Sequence, residues 1–402
     1  MRSPLSIKLL IYSHFFAPSV GGVETVVLDL ARGLSDQTRP GDSGPRHFAI
    51  TLATQTPRGD FEDALLPFRV IRQPTSWGLK RLIQEADLIH VAGAAMIPIL
   101  YGLLARKPVI VEHHGFQYVC PTGQLFQEPQ NWPCPGHFTA GRHLFCLRCS
   151  SNSNRLRSIR LWLLTFVRRF LLNRVQQNIT PTDWLAKQLQ LPRSVTVHHG
   201  LKASPALVRI ARPEGPFVFV FVGRLVTSKG LRVLLEACKI LIEQKVAFRL
   251  IVIGDGPERS TLETTAHEWN LLSHVQFLGR MENSRVIEAL EKSDVVISPS
   301  LAGEVFGMVV AENMQRGIPV LASDLGAFAE VAGEAGFMFR TGDAVDLARQ
   351  MARIADDPAH TNHVAALARQ RVLNCFSTRE MVERHAAVYL QLASKADLRT
   401  RS

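Results

Sequence analysis

The sequence predicts an α/β protein built from two doubly wound domains, each a parallel sheet with helices on both faces. Apolar, β-branched runs alternate with amphipathic helical stretches along almost the whole chain, which is typical of parallel strands buried on both sides. The alternation starts afresh at Phe217, after a segment rich in Pro, Gly and Ala at residues 200–215. At 402 residues, the chain is long enough for two domains of ordinary size.

The first strand–helix series fills an N-terminal domain, residues 1–200. It predicts strands at Ile7–Ser13, 47–53, 88–91, 109–111 and 194–197, and a helix at 24–34. The second series fills residues 201–375 and predicts strands at 217–223, 250–254, 275–278, 295–298 and 319–322, with helices at 231–242, 258–268, 284–290 and Met308–Arg316. Residues 376–402 predict one more amphipathic helix, over 378–393, that closes the second domain or crosses back onto the first. Because doubly wound sheets bind ligands beyond the carboxyl ends of their strands, we expect the site in the cleft between the domains.

Charge is distributed unevenly between the two halves of the chain. Residues 1–200 carry 22 Lys or Arg and 12 Asp or Glu, whereas residues 201–402 carry 24 and 23. The first half is therefore predicted to face an anionic partner. The longest apolar stretch, 161–172, is interrupted by Arg168 and Arg169 and is too short to span a bilayer, which needs about 20 apolar residues. The start of the chain lacks the apolar core of a signal peptide, so we expect a cytoplasmic location, with contact to a membrane surface.

Two glutamates, Glu304 and Glu312, are separated by seven residues in the segment EVFGMVVAE, just after a predicted strand. Phe306 and Gly307 lie at the expected start of a helix, where free N–H groups and the positive end of the helix dipole suit a diphosphate. Glu304 lies in the loop before that helix, and Glu312 lies more than a turn inside it, where a carboxylate can accept hydrogen bonds from a ribose. The alternative is a surface helix with a solvated glutamate.

At this motif the chain resembles the glycosyltransferases of family 4, which are retaining, nucleotide-sugar-dependent enzymes. The resemblance is strongest over residues 217–342 and weakest over 116–178. It implies the GT-B fold, in which two Rossmann-like domains face each other across a cleft: an acceptor-side domain first and a nucleotide-sugar-binding domain second. Glu304 would then hold the donor sugar and Glu312 the ribose. The other donor-binding residues expected at the helix start are Phe306, Gly307, Met308 and Val309.

The family also implies a reaction and its partners. A sugar would pass from a UDP- or GDP-sugar to an acceptor hydroxyl with retention of configuration, and the acceptor would be a lipid-linked or cell-surface glycan precursor. No cofactor or divalent metal would be required for catalysis, and the chain shows no aspartate-rich metal motif.

Basic residues and glycines at other strand ends extend the resemblance. Arg224 closes the first strand of the second domain and Lys229 follows it; the family binds the donor diphosphate with this pair, since Arg forks two oxygens and Lys adds a point charge. Two surface cations beside a helix start are the alternative. Gly254 allows a sharp turn close to a ligand, and Arg280 ends the segment that resembles the family's base-binding strand. Arg259 stands where a dinucleotide fingerprint would need its third glycine, which disfavours a dehydrogenase.

The first domain contributes Gly21 and Gly22, after the first strand, and His114, after the strand at 109–111. Two glycines at a helix start let backbone amides approach an anion, and the family uses this loop near the donor phosphate and the acceptor; a plain tight turn is the alternative. The resemblance places His114 against the transferred sugar, with a structural histidine as the alternative. Gly115 stands where the family commonly has an aspartate after this histidine. Residues 197–201, VHHGL, stand where the family usually has a Pro-Asn-Gly turn.

Four of the six cysteines fall in a predicted insertion at 116–150, and the last two form a C-x-x-C pair, a spacing that chelates metal well. A structural zinc or other thiolate-bound metal, free thiols and disulfides are all open readings, although a cytosolic location disfavours disulfides. Cys238 and Cys375 lie on or near helical patterns and are expected to be inert. The four clustered residues are Cys120, Cys134, Cys146 and Cys149.

A basic segment follows the insertion: residues 129–182 contain eight arginines and no Asp or Glu. Within it, 155–174 predicts a basic amphipathic helix suited to anionic lipid headgroups, with Trp162, Phe166 and Phe170 near one face. A helix packed on the first domain with solvated arginines is the alternative. Nucleic acid is a poorer fit, because no nucleic-acid-reading motif accompanies the charge.

Two rival functions share this architecture. A nucleotide-sugar epimerase or hydrolase needs no acceptor, and the basic, amphipathic first domain argues against it. A membrane-associated sugar-nucleotide binding protein without activity is the second, and the intact set of Glu304, Glu312, Arg224 and Lys229 argues against it.

Overall fold

The computed structural model describes residues 6–19, 21–36, 48–149, 155–207 and 215–401. Part of the predicted linker, 208–214, and the end of the predicted insertion, residue 150, lie outside the described residues, as does residue 20 in the predicted glycine loop. The two predicted doubly wound parallel sheets are both present.

The first domain is built on a seven-stranded parallel sheet, with a separate two-stranded hairpin. Its strands are β1 (Ile7–Ser13), β2 (Phe48–Thr54), β3 (Arg69–Arg72), β4 (Leu88–Ala92), β5 (Val109–Glu112), the hairpin pair β6 (Phe126–Gln127) and β7 (Trp132–Pro133), β8 (Gln177–Thr180) and β9 (Ser194–Thr196). Its helices are α1 (Gly22–Asp36), α2 (Ser76–Glu85), α3 (Met96–Leu104), α4 (His143–Cys146), α5 (Arg155–Leu172) and α6 (Asp183–Leu189). The sheet order is β3-β2-β1-β4-β5-β8-β9.

The second domain is built on a six-stranded parallel sheet. Its strands are β10 (Phe217–Val222), β11 (Phe248–Ile253), β12 (Val275–Gly279), β13 (Val295–Ser298), β14 (Val320–Ser323) and β15 (Phe337–Phe339). Its helices are α7 (Leu231–Glu243), α8 (Arg259–Glu268), α9 (Asn283–Glu291), α10 (Met308–Arg316), α11 (Gly326–Ala332), α12 (Ala344–Asp356) and α13 (Pro358–Cys375). The order is β12-β11-β10-β13-β14-β15. Short 3-10 turns occur at Asp63–Leu65, Glu128–Gln130, Thr227–Lys229 and Gly333–Ala335.

The central strands are apolar throughout because both of their faces are covered. Successive side chains of a strand point to opposite faces, so in β10 Phe221 packs beneath α7 while Val220 packs beneath α10 and α13. In β1, Leu10 faces the layer of α2 and α3, whereas Leu9 faces the layer of α1. Each sheet therefore has a hydrophobic core on both sides, which fixes the strand ends that form the cleft.

The last helix, α14 (Thr378–Arg401), leaves the second domain and packs on the first. Its residues Met381, Val382 and Tyr389 are buried in the same core as α1. The interdomain chain, which follows β9 and is described over residues 197–207, passes close to the start of this helix. A Cβ atom on Gly200 would lie 2.5 Å from the Cα atom of Thr378. Among the described residues, no helix combines the length and the apolar character needed to cross a membrane.

Candidate functional site

The candidate donor side of the cleft lies at the carboxyl ends of β10, β11 and β12. Backbone hydrogen bonds from Gly223 to Ile253 (3.0 Å) and from Gly254 to Gly279 (2.8 Å) align these ends side by side. The alignment brings Arg224, Gly254 and Arg280 to one edge of the sheet, and both arginines are exposed there.

Gly254 is required by the close packing of these turns. Its φ of +141° belongs to a region that glycine adopts readily, and a Cβ atom would lie 1.8 Å from the carbonyl oxygen of Gly223. The glycine thus permits the turn after β11 to touch the turn that presents Arg224.

Lys229 and Glu304 form an ion pair between the segments that follow β10 and β13, the two adjacent central strands of the second sheet. The Lys229 Nζ atom lies 2.5 Å from Glu304 Oε1, and the Ser300 hydroxyl donates to the same oxygen at 2.8 Å. The Glu304 side chain is only 13% exposed. Two residues that the sequence assigned to different parts of a donor, diphosphate and sugar, are therefore direct neighbours.

Helix α10 begins next to this pair and has the predicted bounds. Gly307 precedes it with a φ of +95°, and Met308 reaches across to the first domain, where a Cβ atom on Gly22 would lie 3.4 Å from its Cγ atom. Phe306 is 1% exposed and packs against His199 with ring centroids 5.1 Å apart. Any contact of Phe306 with a ligand would therefore be made by its backbone, because its side chain belongs to the core.

A cavity of about 650 Å³ lies against the outer part of α10. Glu312, Val309 and Arg280 line it together, so the structure gathers three residues predicted from separate motifs. Glu312 Oε2 lies 3.6 Å from Arg316 Nη1. Desolvation raises the pKa of Glu312 above its usual value, in spite of the neighbouring Arg316 guanidinium.

On the first domain, a cavity of about 370 Å³ lies beyond the ends of β1 and β4. His114 lines it, together with Ser13, His14, Phe15, Val23, Ala92, Gly93, Ala94, Ala95 and Gln117. Gly22 opens α1 beside it, and the Glu24 carboxylate folds back over Gly21, 2.5 Å from where a Cβ atom would lie. His114 and Val23, the residue that follows the glycine pair, thus line the same cavity.

One interdomain contact holds the Glu304 loop against the first domain. The Thr182 hydroxyl donates to the carbonyl oxygen of Val305 at 2.8 Å. The Glu330 carboxylate accepts the backbone N–H groups of Asp183 and Trp184, both at 2.8 Å. The two contacts of Glu330 cap the start of α6 with a side chain from α11 of the second domain.

Sequence reasoning missed a buried carboxylate ringed by four imidazoles. Glu112, at the end of β5, is fully buried. The Nε2 atoms of His90 and His114 lie 3.2 and 3.6 Å from Glu112 Oε2, and those of His199 and His385 lie 3.6 and 3.7 Å from Oε1. The only local signal was His114, two residues beyond Glu112, because His90, His199 and His385 come from distant parts of the chain.

The ionisation of this cluster follows from burial and mutual contact. Burial raises the pKa of Glu112, but its histidine neighbours outweigh that effect and hold the pKa well below the usual range. Desolvation lowers the pKa of His199, and it lowers the pKa of His385 to about 4. At neutral pH Glu112 is therefore an ionised carboxylate, and the imidazoles of His199 and His385 are neutral.

The four clustered cysteines come together near α4, and none forms a disulfide. The Cys149 thiol lowers the pKa of Cys134 to about 5 through a hydrogen bond, and the burial of Cys146 raises its pKa to about 12. No three of the four sulfur atoms, all of which belong to the described part of the chain, lie within 4.8 Å of one another. A metal bound by these thiols stays a prediction. Cys238 is buried and Cys375 partly buried, each in a core cluster.

The predicted lipid-facing surface of α5 needs correction. Trp162 points inward and its indole N–H donates to the His143 carbonyl at 3.0 Å, while Arg168 and Arg169 donate to backbone carbonyls of the first domain. Trp162 packs against the core of the first domain, whereas Phe166 and Phe170 are exposed. The exposed apolar stripe is instead Leu156, Ile159, Leu163, Phe166, Val167 and Phe170.

Comparison with known protein families agrees with this architecture. The sequence model described as Glycosyltransferase Family 4 matches residues 20–204, and the one described as Glycosyl transferases group 1 matches residues 206–371. The chain belongs to glycosyltransferase family 4. The recognition made from the EVFGMVVAE motif is thereby confirmed.

Two curated relatives each match half of this family 4 chain or less. A phosphatidyl-myo-inositol mannosyltransferase of Mycobacterium leprae is 32% identical over 182 residues, which is 44% of this chain and 47% of that protein. A glycogen synthase of Mycobacterium tuberculosis is 28% identical over 203 residues, which is 50% of this chain and 49% of that protein. The chain thus covers about half the length of each relative.

Solved structures confirm the GT-B fold over nearly the whole chain. A sucrose-phosphate synthase from Thermosynechococcus elongatus superposes with a TM-score of 0.72 at 18% identity, covering 97% of this chain and all of that one. Anabaena HepE, solved with UDP-glucose, gives a TM-score of 0.69 at 19% identity, with coverage of 96% and 100%.

Proposed function

We propose that this family 4 member transfers a sugar from a nucleoside diphosphate sugar to an acceptor hydroxyl, with retention of configuration. The carrying observation is the continuous row of Lys229, Glu304, the start of α10 and Glu312 along one side of the cleft. Across the cleft, His114 lines the first-domain cavity. Taken from Glu304 through Lys229 and the start of α10 to Glu312, the row matches the sugar, the diphosphate and the ribose of a nucleotide sugar in that order.

Each part of the donor has a matching group. The cavity of about 650 Å³ between Arg280 and Glu312 takes the nucleoside, with the Glu312 carboxylate accepting hydrogen bonds from the ribose. Arg224 and Lys229 bind the diphosphate together with the free N–H groups that begin α10. A UDP donor is supported by the solved complex of HepE with UDP-glucose, and a GDP donor is the alternative.

Binding of the donor would separate Lys229 from Glu304. In the structure the Lys229 ammonium is held by the Glu304 carboxylate at 2.5 Å. A diphosphate draws the lysine to itself, and the freed carboxylate then accepts hydrogen bonds from the sugar hydroxyls. The ion pair thus keeps both groups in place until the donor arrives, since burying either one unpaired costs free energy.

The transfer step uses charge stabilisation. The bond between the anomeric carbon and the diphosphate oxygen breaks, and Arg224, Lys229 and the α10 amides stabilise the negative charge that develops on that oxygen. The acceptor oxygen bonds to the anomeric carbon on the same face, and its proton passes to the departing diphosphate. No metal or other cofactor takes part in this scheme, and His114 contacts the transferred sugar at a hydroxyl remote from the reacting carbon.

We further propose that the acceptor is lipid-linked and that α5 holds the first domain on an anionic membrane. The stripe from Leu156, which is 80% exposed, to Phe170, which is 55% exposed, recurs at spacings of three and four residues along one helix face. Arg155, Arg160 and Arg174 are exposed on the same helix or just after it. Exposed apolar side chains flanked by arginines suit insertion among anionic headgroups.

The experiment is incubation of the purified chain with radiolabelled UDP- and GDP-sugars, with and without a lipid extract. Label in the lipid or glycan fraction, dependent on the extract, supports the proposal. Free labelled sugar or an epimer as the only product, with no label in the lipid or glycan fraction when the extract is present, would establish a hydrolase or epimerase instead. Nucleotide binding with no turnover of any donor would establish a binding protein.

A further inference from the structure

We propose that Glu112, His114 and His199 bind a divalent transition metal ion of the zinc type, at a site that ties the first domain to the interdomain chain. Their ligand atoms all lie within 4.8 Å of one another. All three side chains are at least 96% buried. The inference goes beyond the transfer reaction and does not depend on it.

The separations in this cluster match a metal's coordination shell better than hydrogen bonds. Glu112 lies 3.6 Å from both His114 Nε2 and His199 Nε2, which is beyond normal hydrogen-bond length. Ligands placed about 2.0–2.1 Å from a tetrahedral zinc ion lie about 3.3 Å from one another. The two distances from Glu112 exceed this value by only a few tenths of an ångström, and all three ligand atoms lie within 4.8 Å of one another.

The polar atoms of this cluster are unsatisfied within the protein. Both carboxylate oxygens of Glu112 and both ring nitrogens of His114 and of His199 have no hydrogen-bond partner among the described residues. Buried polar groups are normally paired, because an unpaired one costs about 1–3 kcal/mol. A cation bound between these ligands would satisfy the carboxylate and one lone pair of each imidazole together.

Two further imidazoles, His90 and His385, surround the proposed ligands and also turn toward Glu112. His385 donates its Nδ1–H to the Met381 carbonyl oxygen at 2.8 Å, which leaves its bare Nε2 facing Glu112. His90 contacts the Tyr389 hydroxyl through Nδ1 at 2.9 Å and turns Nε2 toward the same carboxylate. The lone pair of His385 Nε2 therefore faces the Glu112 carboxylate, and a cation bound to that carboxylate would reduce the repulsion between them.

The ligand chemistry selects the class of metal. Two imidazoles and one carboxylate suit zinc, cobalt or another late first-row ion, whereas magnesium and calcium prefer oxygen ligands. His114 also lines the first-domain cavity of about 370 Å³, which provides a route for the ion from solvent.

The test is a Co²⁺ titration of the purified full-length chain after treatment with a chelator, followed by Zn²⁺ competition and metal analysis. Cobalt at Glu112 gives ligand-field absorption without a sulfur-to-cobalt charge-transfer band, whereas cobalt on the clustered cysteines gives that band. We expect one equivalent of cobalt per chain to bind with ligand-field absorption and without the sulfur band. Zn²⁺ should displace it. Glu112→Gln and His199→Ala should lose this equivalent.

The matched control is His198→Ala, which removes the adjacent imidazole; that ring faces Glu330 at 3.2 Å rather than Glu112. This variant should retain the full equivalent. A wild-type chain that binds no cobalt, or binds it only with the sulfur band, overturns the proposal, as does retention of the equivalent by His199→Ala. The wild-type titration decides by itself when a substituted chain does not fold.

Discussion

The two domains share one sheet topology but place different chemistry at the same position. In each sheet the first strand lies between the second and the fourth in chain order, and the loops at this switch point form the cleft. In the second domain this edge carries Arg224, Lys229 and Arg280 with Glu304 and Glu312. In the first domain it carries an apolar cavity and a histidine cluster. Topology therefore determines where side chains converge, and the residues there determine what they bind.

The charge excess of the first half also has to be interpreted from where the charged residues lie. Its 22 basic against 12 acidic residues are not concentrated in the cleft. Exposed arginines lie instead on and beside α5, away from the nucleotide side. The balanced second half nevertheless holds the cations proposed to bind the diphosphate, so net charge does not report which domain binds the anionic substrate.

The largest effect is expected from removing a cation of the second domain. Arg224→Ala or Lys229→Ala should lower kcat/KM for sugar transfer by roughly two to three orders of magnitude, because each removes about 2–4 kcal/mol of stabilisation from the developing diphosphate charge. Initial rates of nucleoside diphosphate release measure this. Arg232→Ala, on the exposed surface of α7, is the control and should keep wild-type rates. Near-normal turnover in folded Lys229→Ala would contradict the assigned role.

A smaller effect is expected on membrane binding, from the first domain alone. The double variant Leu163→Glu/Phe170→Glu should bind anionic vesicles at least tenfold more weakly, because it places charge in the apolar stripe. Vesicle sedimentation at low and high salt measures this, and salt should weaken binding of the wild type. Leu272→Glu, at an exposed leucine of the second domain, should bind normally. Equal sedimentation of both variants would mean that the stripe does not contact lipid.

Within the second domain, the two glutamates should separate binding from turnover. Glu312→Gln should weaken nucleoside diphosphate affinity by about tenfold, the loss of a hydrogen-bonded charge worth about 1.5 kcal/mol. Glu304→Gln should change that affinity by less than about twofold and lower turnover instead. Calorimetry with the free nucleoside diphosphate, paired with rate measurements, tests this. The opposite pattern would reverse their roles.

The smallest effect is expected at the contact that joins the domains. Desolvation raises the pKa of Glu330, but hydrogen bonds from His198 and from the backbone of Trp184 and Asp183 outweigh it, so the folded pKa lies below its usual value near 4.5. The ionised carboxylate therefore stabilises the fold above that value, and the contribution is lost as the pH falls through the folded pKa.

Glu330→Gln should accordingly lower the free energy of unfolding by about 1 kcal/mol at pH 7. The difference from wild type should shrink as the pH falls below about 4. Urea denaturation at both pH values measures this, with the exposed Glu334→Gln as the control. A difference that grows in acid would contradict the assigned ionisation.

Local patterns sufficed to predict most of the fold from the sequence. The helix Met308–Arg316 has its predicted bounds because glycines flank it on both sides. The edge strand Arg69–Arg72 was missed because arginines begin and end it and only part of it is buried. The lipid-facing side of α5 was misjudged because inward contacts of Trp162 and Arg168 depend on the packing of the insertion.

The donor-side residues could be predicted because each follows a strand in a short motif. Of the Glu112 cluster only His114 could be predicted, since the other three histidines come from β4, the interdomain chain and α14. Only the crossing of α14 back to the first domain brings His385 beside Glu112. The sequence does not determine that crossing, because the amphipathic pattern of a helix does not specify which domain its apolar face covers.

The separation of donor chemistry from acceptor binding can be tested most directly by comparing two reactions of the same protein. Donor hydrolysis without acceptor reports the second domain, and transfer to a lipid extract requires both. Lys229→Ala should abolish both reactions, whereas Leu163→Glu/Phe170→Glu should lower transfer by at least tenfold and leave hydrolysis within about twofold of wild type. Loss of hydrolysis in the α5 variant, or full transfer by it, would contradict the assignment of donor chemistry to the second domain and of acceptor binding to the first.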